Sequence, residues 1–409
     1  MTHVPGSALT PIDAALKLLL ASMQVISESE MVALLAVCGR VLAQDCRSGI
    51  AVPPHDASAM DGIAVRAADV SQVPVTLAVT QRIAAGQVGI ALEHGQAARI
   101  FTGAPLPKNA DTVVMQENCR FSEGKVTVLQ FTPRGDNVRS SGEDIAAGVL
   151  LFQSGHRLRA QDIGVLASAG NTAVRVRRRC RVALLATGNE LMQPGTALLP
   201  GQIYNSNFYT LSALLQTLGC EVLDFGVVKD NLAATRQALQ EAASQADLII
   251  STGGVSEGEE DHVKAALAEL GSLNLWKLAI KPGKPLAYGS IGKTHFFGLP
   301  GNPVSAFVTF CLVVRPCLLR LLGCAQITPL KLRVPAGFTQ SVSGERQEYV
   351  RVTLESDQAS RLTLKPIANQ SSGVGSSLSA AAGLAIIPPH TAVVCGDNLE
   401  FIPFSELVT

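Results

Sequence analysis

The stretch RVALLATGNE, residues 181–190, decides the fold, because an uninterrupted apolar run ends there in a short polar turn. Residues 182–186 are typical of a strand that is buried on both faces. The chain downstream alternates between predicted strands at 220–228, 246–251, 273–280, 285–288 and 295–298 and predicted helices at 205–218, 232–244, 261–270 and 303–322. This alternation predicts a parallel sheet that binds ligands at the carboxyl ends of its strands.

The segments on either side of this α/β region have a different pattern. Helical spacing predicts helices beginning at Ile12 and covering 29–42, and β-rich runs follow at 73–79, 98–101, 112–115 and 126–131. After Thr328 apolar and polar residues alternate again, which favours a separate barrel or sandwich. At about 150 residues per domain, a 409-residue chain holds several domains. We therefore predict a multidomain protein that is α/β in its centre and richer in β-structure around it.

Composition excludes several classes of protein. Lys and Arg number 33, as do Asp and Glu, so no overall positive field attracts nucleic acid or an acidic membrane. Only 4% of residues are aromatic, which argues against surfaces that stack bases. Arg315 and Pro316 interrupt the apolar stretch 306–322, which is shorter than the ~20 residues of a membrane span.

The cysteines and the first residues of the sequence indicate the cellular compartment. The nine cysteines include no Cys-x-x-Cys pair, so we expect small buried thiols in a reducing compartment. The first residues lack the basic region of a signal peptide. We therefore expect a soluble cytoplasmic protein that binds neither nucleic acid nor membranes.

Five arginines fall within residues 175–181. Such a run is either a patch for nucleic acid or a solvated edge where one domain joins the next, and the second is more common.

Three turns follow strands of the predicted sheet, at 186–190, 251–258 and 298–303. The backbone N–H groups of Thr252, Gly253 and Gly254, together with the hydroxyl of Ser256, are suited to hold a phosphate. In the third turn Asn302 is a candidate cap for the long helix, with Pro303 in its first turn, which would leave the positive helix end open to an anion. Three such turns at one sheet edge indicate an anion site.

Charged residues near these turns support an anion site at this sheet edge and suggest a metal ion beside it. Lys277 and Lys281 are four residues apart, so an extended chain would point both to one face, and Lys284 follows. Asp230 ends a predicted strand and Asp261 begins a predicted helix. Carboxylates beside an anionic ligand are compatible when Mg²⁺ lies between them, although Asp261 is equally explained as a helix cap.

A second polar cluster lies in the first third of the chain. Residues 53–62, PPHDASAMDG, contain turn formers, and Asp61 before Gly62 is either a turn residue or a ligand. Two further polar turns, 99–107 and 142–145, belong to the same region. Composition alone does not show that the three segments meet.

Six motifs, taken together and in order, resemble the MoeA family of molybdopterin molybdenumtransferases, which is related to the gephyrin E domain and its plant counterpart. They are SAMDG (58–62), TGAP (102–105), GED (142–144), TGGVS (252–256) running on to Asp261, KPGKP (281–285) and GLPGNP (298–303). The motifs span almost the whole chain.

The resemblance implies an elongated homodimer whose subunit has four parts. These are a helical domain formed by 1–48 and 147–178, an inserted β domain at 49–146, a molybdopterin-binding α/β domain with a parallel sheet at 179–327, and a C-terminal β-barrel at 328–409. It also implies that molybdate is inserted into adenylated molybdopterin with Mg²⁺, releasing AMP and forming the molybdenum cofactor. Transient partners would be a molybdopterin adenylyltransferase and molybdoenzymes.

The resemblance also assigns roles to residues. It implies catalytic roles for Asp61, Asp144, Asp261 and Lys281, and metal binding by Asp230, Asp261 or Glu190. The implied substrate-binding residues are Thr102, Glu190, Thr252, Gly253, Gly254, Ser256, Lys277, Lys284, Pro300, Pro303, Arg351 and Ser372. Asp61, Thr102 and Asp144 would complete the site from the dimer partner.

Two other functions remain alternatives. A molybdopterin adenylyltransferase shares the α/β domain, but that family is usually a single short domain. A non-enzymatic scaffold of the gephyrin kind would not need Asp61, Asp261 and Lys281, all of which are present.

Overall fold

The computed structural model describes residues 9–254, 262–356 and 361–408. Ser256 and Asp261, two of the candidate site residues, lie outside the described residues.

The first part of the chain is mainly β-structure. Its strands are β1 (Leu9–Thr10), β2 (Ser29–Ala33), β3 (Cys46–Arg47), β4 (Ala57–Ser58), β5 (Gly62–Val65), β6 (Val75–Ile83), β7 (Gln96–Ile100), β8 (Thr112–Met115), β9 (Cys119–Ser122), β10 (Lys125–Val128), β11 (Val138–Arg139), β12 (Leu150–Phe152) and β13 (Ala173–Arg177), and its helices are α1 (Ile12–Ser22) and α2 (Ala160–Ser168). Six strands form one sheet in the order β8-β5-β7-β6-β10-β9. Ile63 and Val65 of β5 and Val114 of β8 are fully buried in the hydrophobic cluster on this sheet. The predicted β-rich segment is therefore confirmed.

The helix predicted over 29–42 is wrong. Residues Ser29–Ala33 are a strand that pairs antiparallel with Ala173–Arg177, and a single 3₁₀ turn, Leu34–Ala36, follows. Gly39 then takes a positive φ of 77°, which an α-helix does not allow. The partner strand lies about 140 residues away along the chain, so local spacing could not show it.

The middle of the chain contains the α/β region. Its strands are β14 (Arg181–Thr187), β15 (Leu191–Met192), β16 (Ile203–Tyr204), β17 (Glu221–Val228), β18 (Leu248–Thr252), β19 (Ser272–Leu278), β20 (Ile280–Lys281), β21 (Pro285–Ile291) and β22 (Thr294–Leu299), and its helices are α3 (Ser206–Thr217), α4 (Leu232–Gln245), α5 (His262–Leu270), α6 (Pro303–Thr309) and α7 (Arg315–Leu321). A seven-stranded sheet has the order β1-β19-β21-β22-β18-β14-β17. Separate buried clusters lie on its two faces, so helices cover both.

The sheet is parallel only in part. Strands β22, β18, β14 and β17 run parallel, as predicted, but β21 is antiparallel to both β19 and β22. The reason is the two-residue turn Gly292–Lys293, which is too short for a crossover connection and therefore reverses the chain into a hairpin.

The helices α6 and α7 form one helical run, joined by a π-helical segment, Phe310–Val314. The run Pro303–Leu321 is long and apolar enough to cross a membrane, but 94% of its most apolar window is buried inside the protein. It is accordingly the core helix between the central sheet and its neighbours.

The last part of the chain closes into a barrel. Its strands are β23 (Leu332–Pro335), β24 (Gln347–Ser356), β25 (Leu362–Pro366), β26 (Gly383–Ile387) and β27 (Asn398–Pro403), and its helices are α8 (Ser376–Ala380) and α9 (Phe404–Leu407). The pairing order is β25-β24-β26-β27-β23, and a bridge between Ala336 and Leu364 returns from the end of β23 to β25. The short strand β20, from the middle region, also pairs with β24.

The arginine run 175–181 lies where parts of the chain meet. Arg178 donates to both carboxylate oxygens of Asp247, at 2.7 and 2.9 Å, and Arg179 donates to the carbonyl of Gly219. Arg177 donates to the carbonyls of Ile26 and Ser27. These contacts tie the run to distant parts of the chain within the protein.

Candidate active site

The ends of four parallel strands form one edge of the central sheet. The register pairs Thr187 with Val228, Ala186 with Thr252, and Thr252 with Leu299. The turns that follow these strands therefore lie side by side, in the order Pro300, Gly253, Gly188 and Asp230. Open α/β sheets bind their ligands at this edge. The edge formed by these four turns, at Pro300, Gly253, Gly188 and Asp230, is called the strand edge below.

The turn at Gly253 and Gly254 requires bare backbone. Both residues have positive φ, 84° and 63°. A Cβ on Gly253 would lie 2.6 Å from the carbonyl oxygen of Thr187, and one on Gly254 would lie 2.6 Å from Val263. The backbone of this turn is therefore packed directly against the neighbouring strand end, and Thr252 is buried beneath it. The prediction that the Gly253 N–H is open to a phosphate is wrong, because it donates to the carbonyl of Leu299 at 3.2 Å.

Thr187 is a site candidate that sequence reasoning missed. Its hydroxyl is buried, has no hydrogen-bond partner among the residues that the structure describes, and would lie 2.9 Å from a Cβ on Gly254, so it faces the glycine turn. A buried polar atom without a partner is unusual, and at a ligand-facing edge it suggests a group that a ligand satisfies. Its position as the last residue of a parallel strand was the available signal.

The carboxylates of Glu190 and Asp230 lie at neighbouring positions on the same edge. Glu190 follows β14 and Asp230 follows β17, the adjacent strand, and both residues are exposed. The carboxylate of Glu190 folds back over Gly188, within 2.9 Å of where a Cβ would stand. Carboxylate oxygens are the ligands that Mg²⁺ prefers. Among the described residues, no group of three metal-binding side chains is present.

Two lysines reach the same edge from the other half of the sheet. Strand β19 runs parallel to β22, because both are antiparallel to β21, so Lys277 lies at its ligand-facing end. The backbone carbonyl of Lys284 accepts a hydrogen bond from Leu278 N–H at 2.7 Å, and Lys284 precedes Pro285, the register partner of Lys277. Lys277 and Lys284 are therefore diagonal neighbours at the ends of two adjacent strands, and the register assigns them to opposite faces of the sheet.

The prediction that Lys277 and Lys281 share one strand face is wrong. After Leu278 the chain leaves the central sheet, and Ile280–Lys281 pairs instead with Gln347 and Glu348 of the barrel. Gly283 allows the return, since a Cβ there would lie 2.5 Å from the hydroxyl of Thr309. Local spacing predicted one strand because nothing in it signals a change of sheet.

Lys281 is held by the barrel. Its Nζ lies 3.0 Å from Oε1 of Glu348, and the other carboxylate oxygen accepts from the amide of Gln340 at 3.0 Å. The Glu348 side chain is 12% exposed and that of Lys281 56% exposed. Neither Glu348 nor Gln340 was predicted as a site residue.

The segment around Pro303 is also tied to the barrel. Pro300 is buried, and the first free helical donor, Val304 N–H, donates to the carbonyl of Ser372 at 3.1 Å. Asn302 occupies the cap position but makes no side-chain cap bond. The prediction that this helix end is open to an anion is therefore wrong for Val304, because Ser372 already occupies it.

Arg351 supports the loop that carries Ser372. It is 1% exposed, and its guanidinium donates to the carbonyls of Asn369 and Ser371 at 3.1 and 3.2 Å. Burial lowers the pKa of Arg351. Its observed contacts therefore place the loop and are internal to the protein.

The polar turns of the first third of the chain do meet. The backbones of Ser58 and Ala104 are hydrogen-bonded, as are those of Gly103 and Ser58. Asp61 accepts two hydrogen bonds at 2.8 Å, from the backbone N–H and the hydroxyl of Thr102. These bonds, and then the charge of Arg99, hold the pKa of the exposed Asp61 carboxyl below its ordinary value.

Asp144 lies beside the same turns. Its backbone N–H donates to the carbonyl of Val52, and a cleft of about 660 Å³ separates it from the 53–57 segment and Gly103. Of the described residues, those that line this cleft all come from the first 144 positions. Asp61 and Thr102 are joined directly, and Asp144 lies near them across the cleft that Gly103 lines. These three residues, called here the loop cluster, lie outside the central sheet.

Comparison with known proteins matches three family profiles to successive parts of the chain. The MoeA N-terminal region (domain I and II) matches residues 10–170, a probable molybdopterin binding domain matches 183–320, and the MoeA C-terminal region (domain IV) matches 333–404.

Individual relatives agree. The chain is 41% identical over 314 residues to the molybdopterin molybdenumtransferase of Haemophilus influenzae, covering 76% of this chain and 78% of that protein. It is 40% identical over 333 residues to the molybdopterin molybdenumtransferase of a Nostoc species, covering 79% and 76%. A crystal structure of the molybdopterin biosynthesis MoeA protein from Pyrococcus horikoshii is 33% identical, with a TM-score of 0.80 over 97% of this chain and 99% of that one.

Proposed function

The chain belongs to the MoeA family, and from this premise we propose that it acts as a molybdopterin molybdenumtransferase. In the proposed reaction molybdate is inserted into adenylated molybdopterin in the presence of Mg²⁺, AMP is released and the molybdenum cofactor is formed. The names of the relatives support the transferase activity and its pterin.

The observation that carries the proposal is the strand edge. A bare backbone turn at Gly253–Gly254, a buried hydroxyl at Thr187 and the lysines Lys277 and Lys284 line one sheet edge. Backbone N–H groups and ammonium groups are what a pyrophosphate and an oxyanion require. Because the Gly253 N–H donates to the carbonyl of Leu299 at 3.2 Å, the proposal rests on the backbone of Gly254 and on the lysines. The edge therefore suits a ligand with several negative charges.

Positive charge at this edge offsets the electrostatic repulsion between the two anionic substrates. Molybdate and the pyrophosphate of the adenylated pterin repel each other, and bringing them to contact costs several kcal/mol at about 4 Å in a partly desolvated site. Lysines fixed in advance offset that cost without reorganising during the reaction. We assign this role to Lys277, Lys281 and Lys284, and assign pyrophosphate binding to the turn at 252–254 with Ser256.

The carboxylates at the edge fit a Mg²⁺ ion. Glu190 and Asp230 provide hard oxygen ligands on adjacent strand ends, and we propose that Asp261 supplies a third. Bound Mg²⁺ would polarise the phosphate oxygens of the substrate. Glu190 and Asp230 would in addition orient the pterin side of the ligand relative to Thr187.

We propose that the loop cluster completes the site from the second subunit of a homodimer. Asp61 is ionised at neutral pH, because two donated hydrogen bonds favour its charged form, and it is exposed at the surface. Ionised Asp61, together with the side chain of Asp144, is suited to orient a water molecule or a hydrated metal at the pyrophosphate. Hydrolysis of the P–O–P bond of the pyrophosphate by that water releases AMP and makes the insertion irreversible.

The organisation of the chain follows from the same proposal. We propose four units, formed by 1–48 with 147–178, by 49–146, by 179–327 and by 328–409. We also propose a soluble cytoplasmic protein that meets a molybdopterin adenylyltransferase and molybdoenzymes only transiently. Pro300, Pro303, Arg351 and Ser372 would then place the barrel against the substrate pocket.

The decisive experiment mixes purified protein with adenylated molybdopterin, molybdate and Mg²⁺ and measures AMP release. We expect release that depends on molybdate and that falls strongly in Asp261→Asn. Turnover of ATP without molybdate would indicate the adenylyltransferase instead. Pterin binding without any turnover would indicate a scaffold.

A further inference from the structure

The contact between Lys281 and Glu348 joins the candidate active site to the barrel. Lys281 lies at the tip of a five-residue excursion, residues 279–283, that leaves the central sheet after Leu278 and returns at Lys284. At the tip, Ile280 pairs with Gln347 and Lys281 with Glu348. The barrel strand β24 therefore determines where the Lys281 ammonium stands.

The carboxylate of Glu348 is itself fixed. It is 12% exposed, one oxygen contacts Lys281 Nζ at 3.0 Å, and the other accepts from Gln340 at 3.0 Å. A carboxylate held at both oxygens has few alternative orientations, so it presents one geometry to the lysine. The lysine side chain remains 56% exposed, and it lines a cleft of about 400 Å³ together with Glu348 and Gln340.

The same strand makes a second connection to the site. Three residues after Glu348, buried Arg351 holds the 369–371 segment, and the carbonyl of the next residue, Ser372, accepts from Val304 at the start of α6. Strand β24 thus contacts the lysine excursion directly and is connected to the start of α6 through the 369–372 segment.

We propose that Glu348 is a positioning residue for Lys281, and that it also competes with the oxyanion for the lysine's charge. This inference rests on the proposed function, because it takes molybdate as the oxyanion. In the free protein the ammonium is paired with Glu348; when molybdate binds, the ammonium is shared between the two. Glu348 therefore weakens molybdate binding while it keeps Lys281 in the productive place.

The test is the variant Glu348→Gln, which keeps the size of the side chain and removes its charge. We expect molybdate to bind about threefold to tenfold more tightly, because the ammonium is no longer neutralised, and kcat for AMP release to fall about tenfold. Isothermal titration with molybdate and single-turnover AMP release measure the two effects. A purely structural role would not move the two quantities in these opposite senses.

Glu355→Gln is the matched control. Glu355 lies on the same strand and pairs with Lys365 at 3.1 Å, but both side chains are about half exposed and lie away from the excursion. We expect this variant to leave molybdate affinity and kcat unchanged. Equal effects of Glu348→Gln and Glu355→Gln would overturn the proposal.

Two further variants sharpen the test, and the second keeps it valid if Glu348→Gln does not fold. In Lys281→Met the additional replacement Glu348→Gln is expected to change nothing, whereas an effect that persists contradicts a role through Lys281. Gln340→Met keeps both charges and removes only the amide that fixes Glu348, so we expect a lower kcat and unchanged molybdate affinity. A changed affinity and an unchanged kcat in this variant would also contradict the proposal.

The results separate this inference from the proposed function. If molybdate titrations follow the expected pattern but no AMP is released, Glu348 and Lys281 form an oxyanion site and the transferase proposal fails. If AMP is released normally and Glu348→Gln behaves like Glu355→Gln, only the role of Glu348 is wrong. A wild-type protein that does not bind molybdate overturns the inference directly.

Discussion

The strand edge and the loop cluster are built in different ways. At the strand edge, Gly253 and Thr187 are positioned by the register of buried parallel strands, and the binding surface that we propose there is backbone. In the loop cluster, Asp61 is an exposed side chain positioned by two hydrogen bonds from one neighbour, Thr102. Changes at the strand edge should therefore affect folding and activity together, whereas changes in the loop cluster should affect activity alone.

The largest effect is expected for Gly253→Ala. The new Cβ would lie 2.6 Å from the Thr187 carbonyl at a φ of 84°. We expect the free energy of unfolding to fall by about 3 kcal/mol and AMP release to fall by about 100-fold or more. Gly86→Ala is the control, because Gly86 has a φ of 81° with nothing within 4 Å of its Cβ position. Gly86→Ala should lower the free energy of unfolding by about 1 kcal/mol and leave AMP release unchanged. Equal results for the two variants would show that the close approach of Gly253 to the Thr187 carbonyl is unimportant.

A smaller, purely functional effect is expected for Asp61→Asn. The substitution removes the charge but keeps the acceptor oxygen that faces Thr102, so AMP release should fall about 10- to 100-fold. The thermal unfolding midpoint should not change. Asp45→Asn is the comparison, since Asp45 is also exposed and accepts a backbone hydrogen bond, from Ser154 at 2.9 Å. A lowered midpoint in Asp61→Asn would erase the contrast between the two regions.

The Thr187→Val replacement isolates the orphan hydroxyl at the strand edge. Removing a buried polar atom without a partner should raise the free energy of unfolding by up to about 1 kcal/mol. The KM for the adenylated pterin should rise about threefold to tenfold if the ligand satisfies that hydroxyl. Thr235→Val removes another buried hydroxyl without a partner, on α4, and should give the stability change with no change in KM. An unchanged KM in Thr187→Val removes this residue from the site.

The smallest effect at neutral pH is expected for Thr102→Val. The pKa of Asp61 is lowered by Thr102, so activity that needs the ionised carboxyl persists above that pKa and is lost as the pH falls through it. Without the hydroxyl the pKa moves back toward its ordinary value, and the acid limb of kcat/KM moves to higher pH. At pH 7 the carboxyl is ionised in both proteins, so the change should stay below about twofold. Thr76→Val loses an exposed hydrogen bond to the hydroxyl of Thr127 and should not shift the acid limb of kcat/KM.

Much of the fold could be predicted because it depends on local pattern. The apolar run at 181–187 and the glycine turn after 252 are properties of short segments, and both were found where the sequence indicated. The failures depend on distant partners. Residues 29–33 are a strand because they pair with 173–177, and Lys281 leaves the central sheet because it pairs with Glu348.

The same distinction applies to the candidate site. Motif spacing identified Asp61 and Thr102 separately, but their hydrogen bonds join residues 41 positions apart, which spacing does not encode. Thr187 was missed because a threonine that ends a buried strand looks like ordinary core. Glu348 was missed because its role depends on a lysine that local pattern assigned to another sheet.

The route of the chain through residues 279–283 has a consequence for attempts to isolate the central region. Strand β20 finds its only regular pairing partner among the described residues in β24, which lies about 65 positions later. A fragment ending near residue 327 would present an unpaired strand edge to solvent, and such edges recruit other chains. We therefore expect that fragment to aggregate, whereas a fragment joined to residues 328–409 stays dispersed.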